Sequence, residues 1–129
     1  MTPRAIALQA HIDALCKHHR IGVHYKPGRR AYAWQIERRI QTQPVVSDNT
    51  YAVALHEIGH ILGKWQTRGV MLGEVGAWRW AKSNALVWTP AMNRKMRDCV
   101  ETYVANATVD DEIVPVEKLW HLIERTPNV

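Results

Sequence analysis

The alternation of apolar and polar residues predicts one helix at the front of the chain. Apolar residues recur at helical spacing from Thr2-Pro3, where a proline suits the first helical turn, to about His19. The apolar positions of this stretch are Ile6, Leu8, Ile12 and Leu15. The pattern therefore predicts an opening amphipathic helix.

From Ile21 the apolar positions recur every second residue, which is typical of strands. Two alternating stretches flank a turn predicted at Pro27-Gly28. Their apolar positions are Ile21, Val23 and Tyr25, then Tyr32, Trp34 and Ile36. Residues 38–46 predict a further strand, in which Pro44 indicates an edge position because proline donates no ladder hydrogen bond. We expect these strands to form a small antiparallel sheet.

After Ser47 the pattern is helical. Asp48 or Asn49 can cap a helix that continues to about Leu62 and ends at Gly63. Three more helices follow by their apolar spacing and their proline starts. They cover about 72–86, Thr89-Pro90 to about Asn106, and a short last stretch from Pro115. One helix, a small sheet and then helices predict the α+β class, with residues 1–129 as a single domain.

Composition adds limits to this picture. Apolar residues make up 47% and charged residues 22%, as in ordinary globular proteins, and neither a membrane span nor a secretory signal is evident. We therefore expect a cytoplasmic protein. The two cysteines, Cys16 and Cys99, are too few for a disulfide scaffold and fall on apolar helix stripes, which predicts free core thiols.

The net charge of +5 comes from the front of the chain. Residues 1–48 hold eight Lys and Arg against three Asp and Glu, whereas the remainder is neutral. A basic patch of Arg29, Arg30, Arg38 and Arg39 is interleaved with aromatic residues. This patch is consistent with nucleic-acid binding, with docking of an acidic protein substrate, or with a solvated strand face. Of the two partners, a protein substrate is the one we expect.

The segment LHEIGHILG at residues 55–63 carries the candidate chemistry. His56 and His60 are four residues apart, so a helix places both imidazoles on one face, where they can bind one zinc ion. Glu57 lies beside the first ligand and can act as general base toward a zinc-activated water. The surrounding residues are mostly apolar, which predicts a buried helix whose polar side chains need a partner.

A catalytic zinc site needs a third protein ligand. Gln66 stands where one class of HExxH enzymes carries a third histidine, and glutamine is a poor zinc ligand. Glu74 is the only carboxylate between Glu57 and Asp98. Small residues at Ala77 and Ala81 share its helical strip and would allow close approach to the histidine helix. The residues thus favour Glu74 as the third ligand.

HEIGH, followed by Glu74, Ala77, Trp80 and Ala81 at their spacing and then by LVWTP, resembles the ImmA/IrrE-type metallopeptidases over roughly residues 50–90. The resemblance implies a zincin-like fold in an intracellular enzyme. It also implies zinc bound by His56, His60 and Glu74, with Glu57 as general base. Better-known members cut regulatory proteins such as phage-type repressors. Trp78 replaces an aspartate that orients a ligand in related enzymes, which leaves that role unassigned.

The candidates for stabilising the oxyanion of peptide hydrolysis are Tyr103, Tyr51 and His121. The alternative to a peptidase is a nucleic-acid-binding or protein-interaction module with a structural or vestigial zinc site. Glu57 argues against that alternative, because a purely structural site has no use for a carboxylate beside its ligand.

Overall fold

The computed structural model describes residues 2–106 and 116–124, which fold as an α+β domain. The five helices are α1 (Pro3–His18), α2 (Asp48–Leu62), α3 (Val70–Asn84), α4 (Pro90–Ala105) and α5 (Val116–Glu124). The three strands are β1 (Gly22–Tyr25), β2 (Tyr32–Trp34) and β3 (Arg39–Thr42). The α+β class and the order of elements predicted from the sequence are confirmed. Pro115 lies outside the described residues, as does the start predicted there.

The sheet is mixed, so the prediction of an antiparallel sheet was wrong. Its order is β1-β3-β2, with β3 parallel to β1 and antiparallel to β2. The last strand is therefore central, which also contradicts the edge position expected from Pro44, a residue that follows β3. Burial accounts for this, because β3 carries Ile40 at 0% and Thr42 at 1% exposure, whereas β1 and β2 are largely exposed or half-buried. The most buried strand takes the position with neighbours on both edges.

Helix α2 begins one residue after its cap, Ser47. The Ser47 hydroxyl accepts a hydrogen bond from the Thr50 amide at 3.2 Å, and Thr50 Oγ1 accepts one from the Ser47 amide at 3.0 Å. This reciprocal pair is a capping box. The expected cap, Asp48, instead binds the Arg4 guanidinium at 3.0 Å and the Thr89 hydroxyl at 2.9 Å. Its carboxylate thus ties the start of α2 to α1 and to Thr89, the N-cap of α4.

Helix α2 is the central element of the core, because it packs against α1, α3, α4, β2 and β3. Helix α3 runs about two residues ahead of its predicted bounds and lies closest to α2. The two helices meet at backbone level, because a Cβ at Gly59 would overlap the carbonyl oxygen of Ala77. A Cβ at Gly76 of α3 would overlap the carbonyl oxygen of Lys64, in the turn that follows α2. The close approach expected from small residues on α3 is therefore present.

The cysteines differ in burial. Cys16 is a buried free thiol in the core, as predicted, whereas Cys99 is a free thiol that is only half-buried. No helix among residues 2–106 and 116–124 is long and apolar enough to cross a membrane.

We predict that Gly59→Ala lowers the stability of the fold by about 1–3 kcal/mol or more, because the added methyl group forces α2 away from the α3 backbone. Urea unfolding followed by circular dichroism measures the change. Gly22→Ala is the control, since a Cβ there meets only side-chain atoms of Arg39 at 3.6 Å or more. Equal unfolding midpoints for the two variants would contradict the backbone-to-backbone contact.

Candidate metal centre

Two helices bring four titratable side chains together in the interior. His56, Glu57 and His60 lie on α2, and Glu74 lies on α3. The four-residue spacing places the two imidazoles on one face, with ring centroids 4.5 Å apart and the rings nearly perpendicular. The structure thus brings together every residue that the sequence assigned to the metal and to the general base.

Glu74 faces both histidines from the opposite helix and is only 2% exposed. Its Oε1 lies 2.7 Å from His56 Nε2, and its Oε2 lies 2.9 Å from His60 Nε2. These separations are somewhat shorter than the roughly 3.3 Å expected between two atoms that each bind one zinc ion at about 2.0–2.1 Å in tetrahedral geometry. The three side chains therefore converge on one point.

Two buried polar atoms of this group lack a hydrogen-bond partner among the described residues: His56 Nε2 and Glu57 Oε2. Although His56 Nε2 is close to Glu74, the two groups are not aligned for a hydrogen bond. Unsatisfied buried polar atoms are costly, so a native protein normally supplies them with a partner. One ligand atom each from His56, Glu57 and His60 lie within 4.8 Å of one another. This group can hold a metal ion, which would satisfy those atoms.

The charges of the centre act strongly on one another. For Glu74, burial opposes ionisation, but the two histidines outweigh it and lower the pKa of the carboxyl to about 2. For His60, burial disfavours the charged ring, but Glu74 outweighs it and raises the pKa to about 9. Burial raises the pKa of Glu57, an effect partly offset by the histidines and by Arg30. Glu74 is thus the ionised anion of the centre, and Glu57 is the carboxyl with the higher proton affinity.

Gln66 contacts the His60 ring at Nδ1, the nitrogen that faces away from Glu74. Its Nε2 donates hydrogen bonds to the carbonyl oxygens of Gly73 at 2.8 Å and Lys64 at 3.0 Å, so its Oε1 is the acceptor. That oxygen lies 2.9 Å from His60 Nδ1. Nδ1 therefore carries the proton in the neutral ring, and the Nε2 lone pair faces the centre. Gln66 orients the His60 ring and does not itself face the centre.

Trp78 and Gln35 also position the histidines. The Trp78 ring stacks on His56 at 4.2 Å between centroids, and Gln35 Nε2 donates to the His60 carbonyl oxygen at 2.7 Å. Sequence reasoning missed these contacts. Trp78 follows Glu74 by one helical turn, a spacing that could have indicated its place beside the site. Gln66 lies in a segment without periodicity, and Gln35 lies in a turn of the structure where the sequence pattern predicted strand, so neither position carried a comparable signal.

The centre opens into a cleft of about 640 Å³. Its walls come from β2 and the residues around it, from α2 and α3, and from α4, which contributes Cys99 and Tyr103 among others. Tyr103, 38% exposed, is the oxyanion candidate that lines this cleft. Tyr51 is fully buried, where its hydroxyl contacts His11 Nδ1 at 2.6 Å and accepts from the Leu86 amide at 3.0 Å. His121 is exposed on α5 and does not line the cleft.

The four arginines of the basic patch are divided between two places. Arg29 and Arg30 lie beside the cleft. Arg38 donates a hydrogen bond to the His19 carbonyl oxygen at 2.6 Å, and Arg39 lies over the Trp34 ring at 4.4 Å from its centroid. The sequence grouped these residues, whereas the fold gives the latter two structural contacts at the other end of β3.

Comparisons with protein-family models, with curated proteins and with solved structures found no significant match for this chain. The centre itself consists of two imidazoles and two carboxylates, with the side chains of Gln35, Gln66 and Trp78 packed against the histidines.

We predict that Gln66→Leu weakens metal binding about 10–100-fold, because His60 loses the acceptor that fixes its tautomer and ring orientation. Competition with a chromophoric chelator measures the affinity, and circular dichroism checks the fold. Thr67→Val is the matched control, since Thr67 is exposed in the same loop. Unchanged affinity in Gln66→Leu would show that the Gln66–His60 contact does not tune the site.

Proposed function

We propose that this chain is a zinc-dependent endopeptidase with a zincin-like fold, similar to the ImmA/IrrE-type metallopeptidases, acting on a protein substrate inside the cell. The observation that carries the proposal is a buried HExxH helix whose two histidines meet Glu74, while Glu57 Oε2 at the cleft has no hydrogen-bond partner in the part of the chain that the structure describes. A purely structural site would leave that second carboxylate without a role.

Two imidazoles and one carboxylate form a donor set that suits zinc and leaves one position open for chemistry. His56, His60 and Glu74 would hold the ion, and Gln66 and Trp78 would keep the imidazoles in place. When bound, zinc supplies Lewis acidity, which lowers the pKa of water toward 7 and polarises a carbonyl group.

Glu57 moves the proton in this proposal. Its Oε2 is buried without a hydrogen-bond partner among the described residues, and burial raises its pKa, which strengthens the carboxylate as a proton acceptor. It takes a proton from the attacking water and delivers it to the nitrogen of the departing amine. One carboxyl group therefore serves both halves of the hydrolysis.

Tyr103 is the donor that we assign to the developing oxyanion. It lines the cleft beside His60 and Glu74. The negative charge of Glu74, followed by burial, raises the pKa of its phenol, so the hydroxyl keeps its proton and can donate it in a hydrogen bond.

Strand β2 supports a polypeptide as the substrate. It forms one edge of the sheet, paired to β3 alone among the described strands, and Tyr32 and Ala33 line the cleft. An edge strand offers unpaired amide and carbonyl groups that an extended peptide can join. A substrate chain laid along β2 would pass over the metal centre.

We predict one zinc ion per purified chain, with large losses of zinc in His60→Ala and in Glu74→Ala, because each variant removes one of three protein ligands. Elemental analysis after removal of loosely bound metal measures the content. His24→Ala is the control, since His24 is an exposed residue of β1 outside the centre. Full occupancy in Glu74→Ala would refute the ligand assignment and turn attention to Glu57 as the third donor.

We predict that Glu57→Gln keeps zinc but lowers peptide cleavage by about 10²–10⁴, since the base is lost while the assigned ligands remain. Tyr103→Phe should lower kcat about 10²–10³-fold, the range for removal of one oxyanion donor. The substrate for both assays comes from a proteomic search for proteins that are cut only when the wild type is added. Cleavage by Glu57→Gln at the wild-type rate would end the enzyme proposal.

A further inference from the structure

A second recess of about 220 Å³ adjoins the cleft. It shares Arg30, Ala31, Val53 and Lys95 with the cleft, so a side chain could enter it from a substrate bound over the metal centre. Its remaining walls come from the loop before β2, the end of β3 and the first turns of α2. They are Arg29, Thr42, Gln43, Asn49 and Thr50.

The lining of this recess is positively charged. Arg29, Arg30 and Lys95 line it, and no Asp or Glu that the structure describes does so. Within residues 2–106 and 120–124, none of these three cations forms a salt bridge with a carboxylate. Asp48 precedes Asn49 and Thr50 of the recess, but its carboxylate binds Arg4 and Thr89 and not the three cations. The recess therefore concentrates positive charge that no salt bridge within the described part of the chain neutralises.

Polar groups accompany the three cations. Thr42 is only 1% exposed, yet its hydroxyl has no hydrogen-bond partner in the described residues. Gln43 and Asn49 add side-chain amides, and the lining at Asn49 and Thr50 belongs to the first turn of α2, where the helix dipole favours negative charge. Cations together with neutral donors make a setting for a small anion such as a carboxylate.

We propose that this recess is a specificity subsite that binds the acidic side chain of an Asp or Glu close to the scissile bond of the substrate. The proposal rests on the peptidase function proposed above and narrows it to substrates with an acidic residue at one fixed position. Because the recess shares a wall with the cleft, that position lies within a few residues of the cut, at about 3.3 Å per residue of extended chain.

The shape of the charged region favours a single side chain over a nucleic acid. A phosphate backbone is recognised by basic groups spread along a groove. Here Arg38 and Arg39 are engaged at the other end of β3, which leaves three cations around one recess. Three cations gathered around one recess can contact a single anionic group but not a row of phosphates.

The first test measures cleavage of a peptide library prepared from a proteome, with each cut bond identified by mass spectrometry. We expect Asp and Glu to be enriched at one position near the scissile bond in products of the wild type. In the double variant Arg29→Gln/Lys95→Gln this enrichment should fall about tenfold or more, because charge-assisted contacts to the carboxylate are lost. Arg30 is kept, since its charge also acts on Glu57.

The control is Lys26→Gln/Arg94→Gln, which removes the same charge from exposed residues outside the recess. It should retain the acidic preference. Cleavage without an acidic preference, or a preference that survives in Arg29→Gln/Lys95→Gln, would overturn the subsite while leaving the peptidase function intact. Absence of cleavage by the wild type would count against the peptidase function, and the second test still decides the subsite.

The second test needs no catalysis. ¹⁵N NMR follows the amides of Thr42, Gln43, Asn49 and Thr50 during titration with N-acetyl-glutamate amide, and with N-acetyl-glutamine amide as the uncharged match. We expect saturable shifts with the glutamate compound alone, lost in Arg29→Gln/Lys95→Gln. Equal responses to both compounds, or none, would overturn the proposal. So would a stronger response to N-acetyl-phosphoserine amide or to a short single-stranded oligonucleotide, which would assign the recess to phosphate.

Discussion

The contact between Glu74 and the two histidines is the interaction on which the site depends. A carboxylate at 2% exposure is stable as an anion only because two imidazoles face it across the interface of α2 and α3. That contact requires α3 to lie almost against the α2 backbone, which the glycines at this interface allow. The short distance between the two helices therefore determines how the core packs there. It also determines how far Glu74 lies from the histidines and how strongly their charges interact.

Much of the site was predictable because local geometry encodes it. A helix with His56 and His60 four residues apart must present both rings on one face, and apolar neighbours place that face inside. Glu74 was predictable because it is the only carboxylate between Glu57 and Asp98, and because small residues share its face of the helix. The residues that orient the ligands were not, because Gln66 and Gln35 reach His60 through loop conformations that no periodicity describes.

The fold was predictable in its elements and less so in their pairing. Alternation located the strands, but it contains no information on which strand lies between the others. The central position of β3 accompanies the burial of Ile40 and Thr42, a tertiary effect. The same limit affected the arginines: adjacency in sequence suggested one basic surface, whereas the turn before β3 directs Arg38 and Arg39 away from the cleft.

The glycine contacts between α2 and α3 have a consequence for how the protein tolerates sequence change. Where helices meet through large side chains, a substitution can be absorbed by new rotamers, and the axes shift by small amounts. At Gly59, Gly63 and Gly76 the neighbouring atoms are largely backbone, which has no rotamers to change. The separation of His56 and His60 from Glu74 is therefore set by the smallest residues of the interface, and larger residues around it can change while the centre keeps its dimensions.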